Sequence, residues 1–357
     1  MVSKLLVRSL LLLALAFICV AVPAQSNSPS ASQNKELAEA DKLSTEVVRL
    51  YGEAKYEEAI PLAKRALKIR EKLLPPNARL LADAYNTIAL LYIARLSFGD
   101  AESPLKSSLA IYERDAASNG LMIGTTLDNL ALVRYAKRDP KKAEEFYLRA
   151  LAIKEKTLGP DDDHTINSLT NLAEFYRRER DYVKANAMLQ RVITAKEKKL
   201  GESHLEVGKL LEQQACLLLK GSQNSEAEKV EARANNILYR ESAAKQGPVA
   251  LSNDAVLCKL VTNPRPDYVS VARGRRFPSP VKLAVEIETD EAGNVTNTRF
   301  IGYDPSFKSV VEKAARGAKL RPTIVDGRAV KVRGMITHEF FTMTRTVLVP
   351  ATVGGRP

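Results

Sequence analysis

The sequence predicts a multidomain fold, an all-α helical repeat array followed by a small α+β domain. Three observations predict it. Ala59 recurs as Ala101, Ala143, Ala185 and Ala227, each step being 42 residues, and a second register runs in phase through Val47, Ala89, Ala131, Ala173 and Ala215. A fixed period of this length means stacked units, none of which buries its apolar face alone. Within a beat the spacing is helical: Leu127, Leu130, Ala131 and Arg134 fall at i, i+3, i+4 and i+7, and after the Asp139-Pro140 break a second helix carries Ala143, Tyr147, Ala150 and Leu151. After Lys245-Gln246-Gly247-Pro248 the apolar spacing changes to two, with Val281, Leu283, Val285 and Ile287 alternating with polar or small residues.

In chain order, the first element reads as an export signal. Lys4 and Arg8 precede an uncharged apolar run over 9–22, and Val22-Pro23-Ala24 supplies small residues for cleavage before Gln25. The run is about 14 residues, where a membrane-spanning helix needs roughly 20. A cleaved signal over 1–24 and a periplasmic or secreted protein are expected. The alternative is a retained inner-membrane anchor with the chain facing the periplasm. Residues 25–35, rich in Ser and Asn, read as a flexible tether. Without the signal the cysteines are Cys216 and Cys258, and the sequence leaves open whether they form a disulfide or stay as buried thiols. The chain has no Trp and 6% aromatic residues, a thin supply for a catalytic core.

The array is expected over 36–245, as five helical pairs. Small residues at 131 and 143 allow close approach of two helices, with Tyr147 filling the space beyond. This pattern resembles the tetratricopeptide repeat. The 42-residue beat and the tail Lys154-Glu155-Lys156-Thr157-Leu158-Gly159-Pro160-Asp161 look like its kinesin-light-chain variety. In such stacks the first helices line a groove, and by phase the groove-facing candidates are Asp83, Asn86, Thr87, Asp128, Asn129, Asn167, Asn171, Glu174 and Arg178. Asparagine offers both a donor and an acceptor and can hold an extended peptide backbone without reading its sequence. Asp161-Asp162-Asp163-His164 reads as a solvated inter-repeat loop rather than a metal site.

Residues 246–262 are expected as a linker, 263–346 as the α+β domain and 347–357 as a tail. The domain has a β-β-α-β order: a strand around Val285, a turn at Asp290-Glu291-Ala292-Gly293-Asn294, a return strand, then a helix opened by Asp304-Pro305 with Phe307, Val310, Val311, Ala314 and Ala318 on its stripe. A long final strand over 329–344 follows the Asp326-Gly327 turn. The order, with Ala272-Arg273, Asp290, Gly293, Val295, Ala314-Ala315, Leu320-Arg321-Pro322, Gly327-Arg328-Ala329-Val330 and Phe340, resembles the C-terminal domain of TonB, the periplasmic protein that contacts outer-membrane transporters. The resemblance implies that the final strand lies at a sheet edge and takes a partner peptide as an added strand. By alternation, its outward side chains would be Lys331, Arg333, Met335, Thr337 and Glu339, and the candidate partner-binding residues among them are Lys331, Arg333 and Thr337.

The formal charge of +12 falls to +10 without Lys4 and Arg8, and 247–357 hold 17 Lys/Arg against 10 Asp/Glu, so +7 lies in the last domain. Such a field suits an acidic partner, an anionic membrane face or a polyanion, and nucleic acid is not expected. No Ser/His/Asp or Cys/His set and no Gly-rich phosphate loop is present, so no catalytic residue, cofactor or metal is expected. The sequence reads as an exported, non-enzymatic binding scaffold. Its expected partners are envelope proteins or peptides, among them outer-membrane transporters, with membrane contact only through the signal segment or a partner. The alternative is a TonB-type energy transducer held by its N-terminal anchor.

Overall fold

The computed structural model describes residues 30–244, 247–267, 281–302, 304–342 and 348–350. The expected export signal, residues 25–29 of the tether, Tyr268, Ala272-Arg273 and the tail beyond 350 lie outside the described residues, whereas 31–35, expected as flexible tether, are the start of a helix capped by Ser30. The chain divides into two compact units, residues 1–179 and 180–357.

The first unit contains α1 (Ala31–Gly52), α2 (Tyr56–Leu73), α3 (Arg79–Ala94), α4 (Phe98–Tyr112), α5 (Ala116–Ala136), α6 (Pro140–Leu158) and α7 (Asp163–Arg178). α1/α2, α3/α4 and α5/α6 pair as antiparallel hairpins. At each crossing Ala59, Ala101 and Ala143 have no exposed surface, nor do Ala89 and Ala131. A side chain no larger than a methyl group lets the two backbones approach, and larger neighbours such as Leu105, Leu127 and Leu130 fill the layer around it. The hairpin bends share a device. Ala54, Leu96, Arg138, Arg180 and Ser222, one per 42 residues, all hold a left-handed backbone with φ between 59° and 64°. The chain reverses in three residues there, and Asp139 caps the next helix by accepting the Lys142 N–H.

The second unit contains α8 (Tyr182–Leu200), α9 (Leu205–Lys220) and α10 (Asn224–Ala244), then β1 (Val249–Ala250), α11 (Asn253–Lys259), β2 (Leu260–Thr262), β3 (Val281–Thr289) and β4 (Val295–Ile301). A short 3-10 turn at Pro305–Phe307 leads into α12 (Lys308–Arg316), followed by β5 (Lys319–Leu320), β6 (Thr323–Val325), β7 (Arg328–Val330), β8 (Val332–Thr342) and β9 (Leu348–Pro350). The main sheet runs β1-β8-β3-β4, with β9 also on β8. β3 pairs antiparallel with β4 and with β8, with Val285 opposite both Phe300 and Ile336. Leu283, Val285 and Ile287 face inward with Val332 and Ile336, and α12 covers them with Val311, Ala314 and Ala315. Gly293 at φ 82° is required twice over, since a Cβ there would also lie 2.0 Å from the Leu320 carbonyl oxygen, whose own N–H bonds Gly293 O at 2.9 Å.

Two expectations change here. The stretch 246–262 is not a linker. β1 pairs parallel with β8, α11 packs on β8, where Val256 closes over Gly334, and β2 pairs with β5. The long final strand is broken at Lys331 into β7, which forms a hairpin with β6, and β8, which enters the main sheet.

The last repeat helix and the strands share one core. Tyr239, Leu238 and Ala243 pack with Val249, Leu251, Val256, Val285 and Phe307. Polar bonds frame it: Asn235 Nδ2 donates to Ile324 O at 3.0 Å, Asp326 N donates to Asn236 Oδ1 at 2.8 Å, and Arg240 pairs with Asp326. Glu231 accepts from Arg321 at 2.8 Å and from the buried Lys259. Burial, with the Arg321 guanidinium nearby, pushes the Lys259 ammonium down to about 8. Cys216 of α9 and Cys258 of α11 form a disulfide with a Cα–Cα distance of 5.5 Å.

Candidate binding groove

The first helices α3, α5 and α7 lie side by side in the first unit. The 42-residue phase gives each helix the same positions, and burial separates them into rows. Asp83, Thr125 and Asn167 are one period apart and all half-exposed. Leu132 and Glu174 form a second half-exposed pair, and Ala94, Ala136 and Arg178 a third row one turn further on. Thr87 is half-exposed too, but its hydroxyl donates to Asp83 O at 2.9 Å within its own helix. Thr125, Leu132 and Tyr135 were not among the residues singled out from sequence, yet the period alone places Thr125 between Asp83 and Asn167.

Four sequence candidates are not surface groups. Asn86, Asp128, Asn129 and Asn171 each expose 9% or less of their surface. The reason is clearest at Asp128. Lys154 of α6 reaches under α5, its Nζ 2.7 Å from Asp128 Oδ2 and 3.0 Å from Ser168 Oγ, and the Ser168 hydroxyl donates to Asp128 Oδ2 at 2.7 Å. Gly124 opens the path, because a Cβ there would lie 2.7 Å from Lys154 Cγ. A buried ion pair with a hydroxyl completing it is structural, closed to any peptide.

The half-exposed row carries charge. Glu174 accepts from Arg177 at 2.6 and 2.7 Å and from Arg178 at 2.5 Å. Burial works to raise the Glu174 carboxyl, but these hydrogen bonds outweigh it and hold it below 4.5. Burial raises the Asp83 carboxyl above its ordinary 3.8, although the Tyr112 hydroxyl hydrogen-bonds it. Tyr135 packs edge-on against Phe175, ring centroids 5.5 Å apart, beside this pair. The surface therefore offers a carboxylate, a threonine and an asparagine along one line, with a guanidinium and a phenol ring at its end.

In the inter-repeat loop Asp162 caps α7 by accepting the His164 N–H at 2.8 Å. Among the described residues no group of three or more His, Cys, Asp or Glu could hold a metal ion.

The expected docking edge on β8 is occupied at both ends. Val249 N and Leu251 N donate to Lys331 O and Arg333 O, and β9 pairs with 340–342. Lys331 is exposed near Glu291, Arg333 bonds Glu288 at 2.6 Å, and Thr337 is half-buried opposite Ala284. Among the described strands none pairs with the outer edge of β8 over 334–339, a stretch of six residues between β1 and β9. The outer edge of β4 is closed by side chains: Asn297 Oδ1 takes the Thr298 N–H at 2.9 Å and Glu312 Oε1 the Phe300 N–H at 3.1 Å. The three-stranded sheet with an uncapped final strand expected from sequence is thus not what forms, because strands from the supposed linker and tail cover both ends of that strand's outer edge.

Comparison with known proteins agrees with the repeat geometry. Tetratricopeptide repeat family models match residues 47–77 and 122–198. Among solved structures, a singly substituted form of the nearly identical TPR-like repeats of a Podosopora anserina putative kinesin light chain superposes with a TM-score of 0.51 at 19% identity, covering 60% of this chain and 100% of that one. BtubC (BKLC) from P. vanneervenii gives a TM-score of 0.48 at 20% identity, covering 61% and 92%. No curated protein matches significantly. The chain carries tetratricopeptide repeats, followed by a C-terminal region that contains strands.

Proposed function

We propose that this protein is a non-enzymatic scaffold whose repeats hold an extended protein segment along α3, α5 and α7. Tetratricopeptide repeats mediate protein binding in general. The observation that carries the reading for this chain is the Asp83, Thr125 and Asn167 row, one half-exposed polar side chain per repeat. A 42-residue spacing of hydrogen-bonding groups on parallel helices suits a backbone laid across them, and Glu174 and Arg178 supply charge at one end. The export reading of 1–24 fits an envelope partner and predicts a mature chain that begins at Gln25, which mass spectrometry of envelope fractions checks.

The test is selection of peptides from a random display library on the full chain, followed by titration. Asn167→Ala and Arg178→Ala should each weaken the selected peptide by about tenfold, the loss of one good hydrogen bond. Lys331→Ala should leave it unchanged. Equal affinity in all three variants would remove the groove from the account.

A further inference from the structure

Outside the groove, exposed charge gathers on one side of α12. Between 308 and 319 the chain carries Lys308, Lys313, Arg316 and Lys319 against a single acid, Glu312. That acid offsets Arg316 alone, and Glu312 is itself 9% exposed and turned inward to accept the Phe300 N–H. Val311, Ala314 and Ala315 are buried on the sheet, which leaves Lys308, Ser309, Lys313 and Arg316 outward. The β2–β5 pairing adds to the ridge. Thr262 stands opposite Lys319 and donates to Gly317 O at 3.2 Å, so the chain that follows carries the exposed Arg265 past the end of α12. Among the described residues no ion pair engages Lys308, Lys313 or Lys319, and Arg316 lies 3.6 Å from Glu312.

The repeat helices are built otherwise. On α2 the exposed cations Lys64, Arg65, Lys68 and Lys72 are interspersed with the exposed acids Glu57, Glu58 and Glu71. A partner protein would look for an apolar anchor in the centre of its contact, and the outward face of α12 has none. A flat ridge of cations without an apolar centre fits a continuous layer of negative charge.

We propose that the α12 ridge, Lys308, Lys313, Arg316, Lys319 and Arg265, docks the C-terminal domain on an anionic lipid surface, each cation meeting headgroup phosphate. The contact is electrostatic, so it is strong at low ionic strength and screened at high.

The experiment is co-sedimentation of the full chain with phosphatidylcholine vesicles, with and without about 40% phosphatidylglycerol, at about 50 and 500 mM salt. The apolar run over 9–22 acts on both vesicle types alike, so the readout is the ratio between them. Wild type should partition onto the anionic vesicles in preference, and lose that preference at high salt. Each lysine near such a surface contributes roughly fivefold, so K308E/K313E should lower the ratio by at least about twentyfold. K42E/K68E, an equal change in net charge at exposed sites on α1 and α2, should lower it far less. Equal ratios for wild type and K308E/K313E, or an equal loss in K42E/K68E, would overturn the proposal. So would binding of soluble polyphosphate by a chain that ignores anionic vesicles, which would assign the ridge to a free polyanion.

Discussion

Ala131 shows how much a single small side chain decides. It has no exposed surface where α5 meets its neighbour, as Ala89 does one period earlier. Ala131→Leu adds volume where no cavity waits, and should cost roughly 1–3 kcal/mol by forcing the helices apart or the side chain off its rotamer. Thermal unfolding checks this, and an unchanged melting temperature would mean that the crossing lies elsewhere. Glu102 carries a second consequence. Hydrogen bonds from Lys106 and Lys137, helped by the Arg134 charge and opposed by burial, hold its carboxyl down at about 2 against an ordinary 4.5. A carboxyl depressed on folding stabilises above its unfolded value, and the contribution is lost as pH falls from 4.5 towards 2. The loss should be on the order of 2 kcal/mol for this nearly buried group, and a pH series of denaturant unfolding should show Glu102→Gln with a flatter profile across that window.

At the scale of elements, the helices were legible because their apolar positions repeat with a fixed phase, and Ala59, Ala101, Ala143, Ala185 and Ala227 are all fully buried. The polar positions were not legible to the same depth. Asp128 stands on a first helix in a groove phase, and only the arrangement of α5 on α6 reveals that Gly124 admits Lys154 beneath it. The pair makes a sharp expectation. Lys154→Met leaves the Asp128 carboxylate buried without its cation and should cost about 3–5 kcal/mol. K154M/D128L removes both charges and should recover most of that loss in the same equilibrium unfolding measurement. A double variant as unstable as the single one would contradict a charge origin. The stretch 246–262 escaped sequence reading for a different reason: two-residue and three-residue strands and a seven-residue helix are too short to show a period, and the strands' pairing partners lie 57 to 83 residues away.

At the scale of the whole molecule, the change of apolar period from 3.6 to 2 marks where helices give way to strands, with α10 ending at Ala244 and β1 starting at Val249, but it does not show that the boundary is built over. In the second unit α10 contributes Tyr239 to the core of the strands, Glu231 holds Lys259 and Arg321 together, and the disulfide ties α11 to α9. The strand region is therefore built into the last repeat, and in its main sheet β1 and β9 cover the two ends of the outer edge of β8, at 332–333 and 340–342. With both ends of that edge covered, the proposed function places binding on the first helices rather than on the sheet edge. Hydrogen exchange of the full chain, with and without a saturating selected peptide, tests this most directly. The account expects slowed amide exchange in 79–94, 116–136 and 163–178 with 332–342 unchanged. Protection confined to 334–339, with α3, α5 and α7 exchanging as in the free protein, would contradict it and return the partner to the strand.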